Sequence, residues 1–207
     1  MLAKYLNNIF LKKIMKFRFV LLSFLLISFT AMSQEDWKLE KNEKGITVYT
    51  RKMPDSKLKE YKGAVLYKTS VDKLVKVFKN EANHDKFLYK AKVGSVKMVK
   101  KITDNDFFTY MVISIAFVTD RDAITHYPIG APDAKGAVTI NIEGAADLLP
   151  KKEGFVRVPK MKGYWRFEPQ TGGNVKVTHQ AYSSPGGNVS DGMANTAAVD
   201  APFSMLT

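Results

Sequence analysis

Cysteine is absent from the chain. Disulfides, thiolate metal ligands and cysteine nucleophiles are excluded with it, as is lipid attachment at a cysteine behind a signal sequence. Histidine is scarce: His84, His126 and His179 stand far apart, without the HxH or HExxH spacing that brings ligands onto one metal ion. No metal or other cofactor is expected. No GxSxG elbow occurs. The paired glycines Gly172-Gly173 and Gly186-Gly187 do not open a strand-linked helix as a phosphate-cradling loop does, and they read as turn glycines. Acidic residues are few, 20 Asp and Glu against 32 Lys and Arg, for a formal net charge of +12. Such an excess reads as a solvated surface, or as one that favours an anionic membrane or an acidic partner. Aromatic residues do not interleave with the basic clusters, so nucleic acid is not an expected partner.

Long apolar runs are also missing, with one exception. "VLLSFLLISF" (20–29) follows the basic "KKIMKFRF" and precedes "TAMSQ", where Ala31 and Ser33 occupy the −3 and −1 positions of a small-residue cleavage site. The run is short for a membrane span. Residues 1–33 read as a secretory signal peptide, with Met15 as a second usable start, and the remainder as an exported, periplasmic or secreted protein. No repeat, linker or low-complexity tract interrupts 34–207, a length suited to one domain and expected to be a monomer. Without disulfides its core alone must hold it.

Strand signals dominate that domain. "GITVYTRKM" (45–53) and "KLKEYKGAVLYKTS" (57–70) alternate as strands. "VDKLVKVFKN" (71–80) places Val71, Leu74, Val75 and Phe78 on one helical stripe, and "NHDKFLY" (83–89) suggests a further helical turn. Hairpins are expected from 91–102 and 106–117 around Thr103-Asp104-Asn105, from 122–130 and 136–144 around "APDAK", and from 155–170 and 174–184 around Thr171-Gly172-Gly173. A helix closes the chain after Ser190, a suitable N-cap. Strands and helices are segregated, so the fold class is α+β.

Alternation assigns the faces. One face collects Phe107, Met111, Ile113, Ile115 and Phe117; another Phe155, Arg157, Met161, Trp165 and Phe167; a third Val175, Val177, His179 and Ala181. Two helices are little cover for so much apolar surface. Either the sheet curls onto itself or a cavity remains beneath the last helix, whose small residues leave room for a ligand. Met193, Ala197, Asp200 and Ser204 fall near one face of that helix, with Phe203 beside it. Gly186-Gly187 reads as a hinge before it.

The order of "WKLEKNEKGITVYTR", "LKEYKGAV", "VTDRDAI" and "EGFVRVPKMKGYWRFEPQTGGNVKVTHQAYSSPGGNV" resembles a START domain, the lipid-transfer module related to the steroidogenic acute regulatory protein. Pro185, Gly186, Gly187, Val189 and Asn195 match the closing pattern, whereas Ser190 and Gly192 stand where proline and tryptophan are expected. The resemblance implies a helix-grip fold, a curved antiparallel sheet wrapped around a C-terminal helix, with one lipid in a hydrophobic tunnel. It also implies an Ω-type loop at the mouth, for which 145–154 is the candidate. The tunnel would be lined by Met111, Ile113, Met161, Trp165, His179, Met193, Ala197 and Phe203. His179 reads as a hydrogen-bonded core histidine, as an orienting contact to a lipid, or as a general base. Arg157 reads as a strand end reaching solvent or as a polar anchor in the tunnel. Arg121 and Asp122, in "TDRD", read as a loop clamp rather than as a ligand contact. Lys151, Lys152, Lys160 and Lys162 form a basic rim facing an anionic membrane. The functional expectation is a lipid-binding protein for transport or sensing; the alternative is a cyclase- or dehydratase-like enzyme acting on a polyketide-type substrate in the same cavity.

Overall fold

The computed structural model describes residues 37–54, 56–83, 93–114 and 118–207. The expected signal peptide (1–33), most of the expected turn at 83–89 and the expected strand tail at 115–117 lie outside the described residues.

Ten strands, two α-helices of nine and fifteen residues and a short 3-10 turn at Thr171–Gly173 are found among the described residues. β1 (Lys38–Glu43), β2 (Ile46–Lys52) and β3 (Lys59–Lys68) precede α1 (Val71–Lys79). Seven more strands follow: β4 (Val93–Thr103), β5 (Asp106–Ile113), β6 (Arg121–Pro128), β7 (Val138–Gly144), β8 (Val156–Arg157), β9 (Lys160–Gln170) and β10 (Asn174–Ser184). α2 (Asp191–Met205) closes the chain. The sheet order is β1-β2-β3-β10-β9-β7-β6-β5-β4, with β8 pairing β6 off this path. β3 and β10 are neighbours in the sheet although α1 and the whole β4–β9 run separate them in sequence, and both helices pack on the same face of it. The class is α+β.

β1 was not expected as a strand. Its sequence, Lys-Leu-Glu-Lys-Asn-Glu, lacks an apolar alternation, and it carries a register shift between Leu39 and Lys41. Charge and a bulge are how exposed edges avoid further pairing, and those same features hide a strand from a periodicity reading.

The expected strand 155–170 is two strands. Pro159 separates β8 from β9; it has no N–H to donate, and the ladder breaks there. β8 runs parallel to β6, with Arg121 opposite Val156 and Asp122 opposite Arg157, whereas β9 runs antiparallel to β7 and β10. Alternation therefore does not carry from Trp165 back to Arg157.

On the helix-covered inner face, Ile46, Val48, Val65, Ile140, Trp165, Phe167, Val175 and Val177 form one buried cluster with Phe78 of α1 and Leu206 behind α2. Ser70 caps α1 by accepting from the Lys73 N–H, and Val71, Leu74 and Val75 pack with Phe78 on the cluster. A smaller cluster, Val96, Met111, Ala123 and Val158, continues the inner face toward the β4 edge.

α2 is held close rather than spaced away. Ser190 accepts from the Met193 N–H as its N-cap. Asn195 accepts from the Lys59 N–H at 2.9 Å and donates to the Lys57 carbonyl at 3.1 Å, which ties the helix to the start of β3. Beyond the other end, the Tyr67 hydroxyl donates to the Leu206 carbonyl at 2.7 Å. Between these ties Ala198, Pro202 and Leu206 are buried. A Cβ on Gly63 would sit 2.7 Å from Leu206 Cδ1 and 3.3 Å from Pro202 Cβ, so glycine in β3 is what lets the helix approach.

Candidate functional site

His179 sits at the centre of the inner face. β10 places it opposite Trp165 of β9 and Gly63 of β3. Its ring stacks on Trp165 with centroids 3.8 Å apart and planes 4° from parallel, while Tyr61 meets it edge-on at 5.2 Å. Burial pushes its pKa down to about 3, so the imidazole is neutral at physiological pH. A neutral imidazole has one donor and one acceptor. The Tyr61 hydroxyl lies 3.4 Å from Nε2 and 3.5 Å from Nδ1. One hydroxyl at nearly equal reach from both nitrogens cannot align with both, so polar capacity is left over in an apolar surrounding. Burial also pushes the Tyr61 phenol up.

Around this pair stands an aromatic shell. Phe78 packs edge-on against Tyr127 at 5.3 Å and against Trp165 at 6.4 Å, and Phe107 lies 5.7 Å from Tyr127. Burial raises Tyr127 to about 12, with the Thr125 and Thr109 hydroxyls moderating the effect. Phe107 also floors a cleft of about 240 Å³ that opens between the end of α1 and the β4–β5 hairpin, rimmed by Lys79, Lys101 and Asp104. Small-molecule sites span roughly 300–1,000 Å³, so this cleft alone is smaller than a lipid site.

The other sequence-derived residues divide. Trp165, Met161 and Phe167 share the inner face, and Met161 touches both clusters. Met111 is buried and Ile113 half-buried in the smaller cluster. Phe203 packs on the main cluster, with Lys41 Nζ 3.9 Å from its ring centroid. Met193 and Ala197 are corrections: both are exposed, Met193 by 43%, on the side of α2 turned away from the sheet. The helix buries Ala198, Pro202 and Leu206 instead. Small, mildly apolar groups surround α2 on all sides, so no stripe in the sequence marks its inner side. Gly186 and Gly187 adopt φ of +66° and +57° in the turn before the helix.

Arg157 is a further correction. It lies on the outer face, buried, and its guanidinium is fully engaged. Nε and Nη2 donate to the two oxygens of Asp122, each at 2.9 Å; Nη1 donates to the Ala146 and Leu149 carbonyls; Nη2 also donates to the Pro150 carbonyl. All five N–H groups are used, and none remains for a ligand. The pair locks the 145–154 loop onto the sheet. Asp122 thus acts as a loop clamp through Arg157, while Arg121 donates to the Thr119 carbonyl.

His126 lies on the outer face between Asp106, 2.7 Å from Nε2, and Glu143, 3.1 Å from Nδ1. Tyr61 escaped the sequence reading, although it shares the parity of Val65 and Tyr67 in β3. Only its pairing across β10 reveals that it faces His179.

No protein-family model matches the chain. An uncharacterized protein of Pseudomonas aeruginosa is 32% identical over 173 residues, covering 83% of this chain and 84% of the relative. Among solved structures, a STAR-related lipid transfer protein from Xanthomonas axonopodis is 33% identical with a TM-score of 0.75, covering 82% of this chain and 94% of that one. Human StAR-related lipid transfer protein 5 shares 16% identity with a TM-score of 0.66, covering 89% and 87%, a likeness of fold alone. The sheet wrapped on its C-terminal helix and the bacterial relative lead to one conclusion: the chain belongs to the STAR-related lipid-transfer (START) family and has its helix-grip fold.

Proposed function

We propose that the chain binds one hydrophobic ligand, a lipid, against the inner face of the sheet, and that it serves lipid transport or sensing outside the cytoplasm. The observation that carries this reading is His179: a neutral, buried ring with spare hydrogen-bonding capacity, stacked on Trp165 and surrounded by aromatic side chains. Few well-placed polar groups in an apolar site are the usual arrangement for orienting a small hydrophobic ligand. The bacterial relative named as a lipid transfer protein supports the same reading. A lipid hydroxyl or carbonyl would meet His179 and Tyr61, and its chains would lie among Phe78, Phe107 and Met161. The export reading rests on residues 1–33.

Native mass spectrometry with lipid extraction tests the binding. One lipid per chain is expected from the wild type, and reduced loading from a folded His179→Phe variant. A wild-type protein that stays free of lipid after incubation with mixed-lipid vesicles overturns the reading. Cell fractionation tests the export: a mature chain beginning near Gln34, outside the cytoplasm, is expected.

A further inference from the structure

β4 is the last strand of the described sheet, and its register with β5 shifts twice along its second half. One shift lies between Met98 and Lys100, the other between Lys101 and Thr103. Each leaves one residue without a partner on β5, Val99 in the first and Ile102 in the second. A bulge bends its strand and re-aims the extra side chain. Here both extra side chains are β-branched and apolar. Both are exposed, Val99 by 38% and Ile102 by 55%. Water alone gives no reason to turn apolar groups outward at both bulges, since edges are protected by charged residues.

Lysines surround the pair. Lys97, Lys100 and Lys101 are exposed within the same stretch, 97–102, and Lys79 at the end of α1 lines the cleft together with Lys101. Lys101 pairs with Asp104 at 2.6 Å, but both side chains are exposed, and such pairs hold weakly. Asp106 is engaged by His126 on the outer face, and Glu81 accepts from the Met98 N–H at 2.8 Å. Residues 84–92, which link α1 to β4 in sequence, carry Lys86, Lys90 and Lys92 against Asp85 and keep the sign positive. A further strand is a poor occupant for this edge, because bulges and lysines oppose pairing and the Met98 N–H is already taken.

We propose that the β4 edge is a membrane-docking face: Val99 and Ile102 enter the headgroup region of an anionic bilayer while Lys97, Lys100 and Lys101 meet lipid phosphates. Long lysine stems let the ammonium groups reach one surface from either face of the strand. Apolar side chains set among cations bind anionic lipid by burial and by charge together. This face is separate from the 145–154 loop, which Arg157 and Asp122 fix to the start of β6. The proposal does not rest on the lipid-binding reading above.

The chain has no cysteine, so a single introduced thiol can be labelled alone. Ile102→Cys in the mature protein carries an environment-sensitive fluorophore. Leu66→Cys, at a position 61% exposed on β3, is the reference. With vesicles of phosphatidylglycerol and phosphatidylcholine, the label at 102 should shift to the blue and be quenched by lipid-borne quenchers. The label at 66 should do neither, and with phosphatidylcholine alone neither label should respond. Co-sedimentation of the unlabelled protein with the anionic vesicles should fall roughly tenfold or more when Lys97, Lys100 and Lys101 are all replaced by glutamine. It should fall about threefold or more when Val99→Ser and Ile102→Ser are combined. Salt should erase the first difference and spare the second.

A wild-type protein that does not co-sediment with the anionic vesicles overturns the proposal, and this outcome needs no variant to fold. Co-sedimentation in which the label at 102 stays in water overturns it too, because binding then occurs elsewhere on the molecule. A blue shift at 102 that grows with protein concentration in the absence of vesicles makes a second copy the occupant, and the membrane assignment falls. Lipid loading enters none of these readouts, so the docking face and the lipid-binding reading fail separately.

Discussion

Arg157 and Arg121 are both buried and lie near the same end of β6, yet they are built in opposite ways. Arg157 meets a carboxylate with a bidentate fork and gives its remaining donors to three loop carbonyls. Arg121 meets two carbonyls, one of them at long range, and leaves Nε unmatched. The first closes the outer face; the second leaves polar capacity unspent beside the turn that precedes α2. His179 extends the contrast to the inner face, where a buried ring shares one hydroxyl between two nitrogens. A saturated buried group acts as structure. An unsaturated one needs a partner, and His179, the unsaturated group of the inner face, is the one the proposed function uses.

The sharpest way to break the comparison is to unpair Arg157. Asp122→Ala should lower unfolding stability by about 3–5 kcal/mol, since it strands a buried guanidinium. Arg121→Met removes a charge that is already stranded, so its effect should lie within roughly 1 kcal/mol of zero and could be stabilising. Urea unfolding measures both. Equal losses in the two variants would show that Arg121 is as well paired as Arg157, and the contrast would fall.

The next effect is a pH dependence. The His179 pKa is held near 3 by burial, below its unfolded value of about 6.5. Above pH 6.5 both states are neutral and no stability is lost. As pH falls, the unfolded chain takes up a proton that the folded chain refuses, so stability declines by up to about 1.4 kcal/mol per unit. Between pH 6.5 and 4.5 that is roughly 2–3 kcal/mol, in a range above the ordinary carboxylate pKa values. Glu40, held at about 2 by its bonds to Thr50 and Lys59, adds a loss that begins near its ordinary value of 4.5, at the lower end of that range, and grows below it. His179→Gln should flatten the slope from 6.5 to 4.5. A wild-type slope that persists in the variant would place the proton elsewhere.

Alternation made the inner face legible in the sequence wherever a strand ran unbroken. Met161, Trp165 and Phe167 in β9, and Val175, Val177 and His179 in β10, lie on the side their parity assigns, because one face is buried and the other is not. The reading failed where its period lost meaning. Pro159 reset the phase between Arg157 and Trp165. The charged, bulged β1 had no apolar alternation to detect. α2 carries small residues on every side, so Met193 and Ala197 were assigned to a face that the structure exposes. Pairing across strands, which brings Tyr61 to His179 and sends Arg157 to Asp122, is not written in any local pattern.

A third change tests how closely α2 must lie. Gly63→Ala places a methyl 2.7 Å from Leu206 Cδ1, the far end of a flexible side chain, and 3.3 Å from Pro202 Cβ. Overpacking of this kind costs about 1–3 kcal/mol, with the low end expected because Leu206 can turn. If small residues in α2 existed only to leave open space, the variant would cost nothing, and thermal unfolding would show no change.

The smallest expected effect concerns the surface that the Arg157 clamp presents. Lys151 and Lys152 are exposed on a loop whose carbonyls at Ala146, Leu149 and Pro150 are fixed by Arg157, and Leu149 beside them is 36% exposed. A fixed loop offering two cations and an apolar side chain suits contact with an anionic membrane, where each lysine contributes up to about 1 kcal/mol. Lys160 and Lys162 are exposed on β9, but Lys162 pairs in register with Glu143, whose charge offsets it. Replacing Lys151 and Lys152 by glutamine should therefore weaken co-sedimentation with phosphatidylglycerol vesicles more than replacing Lys160 and Lys162. The difference should shrink as salt shortens the range of the attraction. Asp122→Ala, which frees the loop while keeping its lysines, separates charge from presentation: binding equal to wild type would show that the cations alone suffice, whereas weaker binding would show that the clamp on the outer face holds them in place for the membrane.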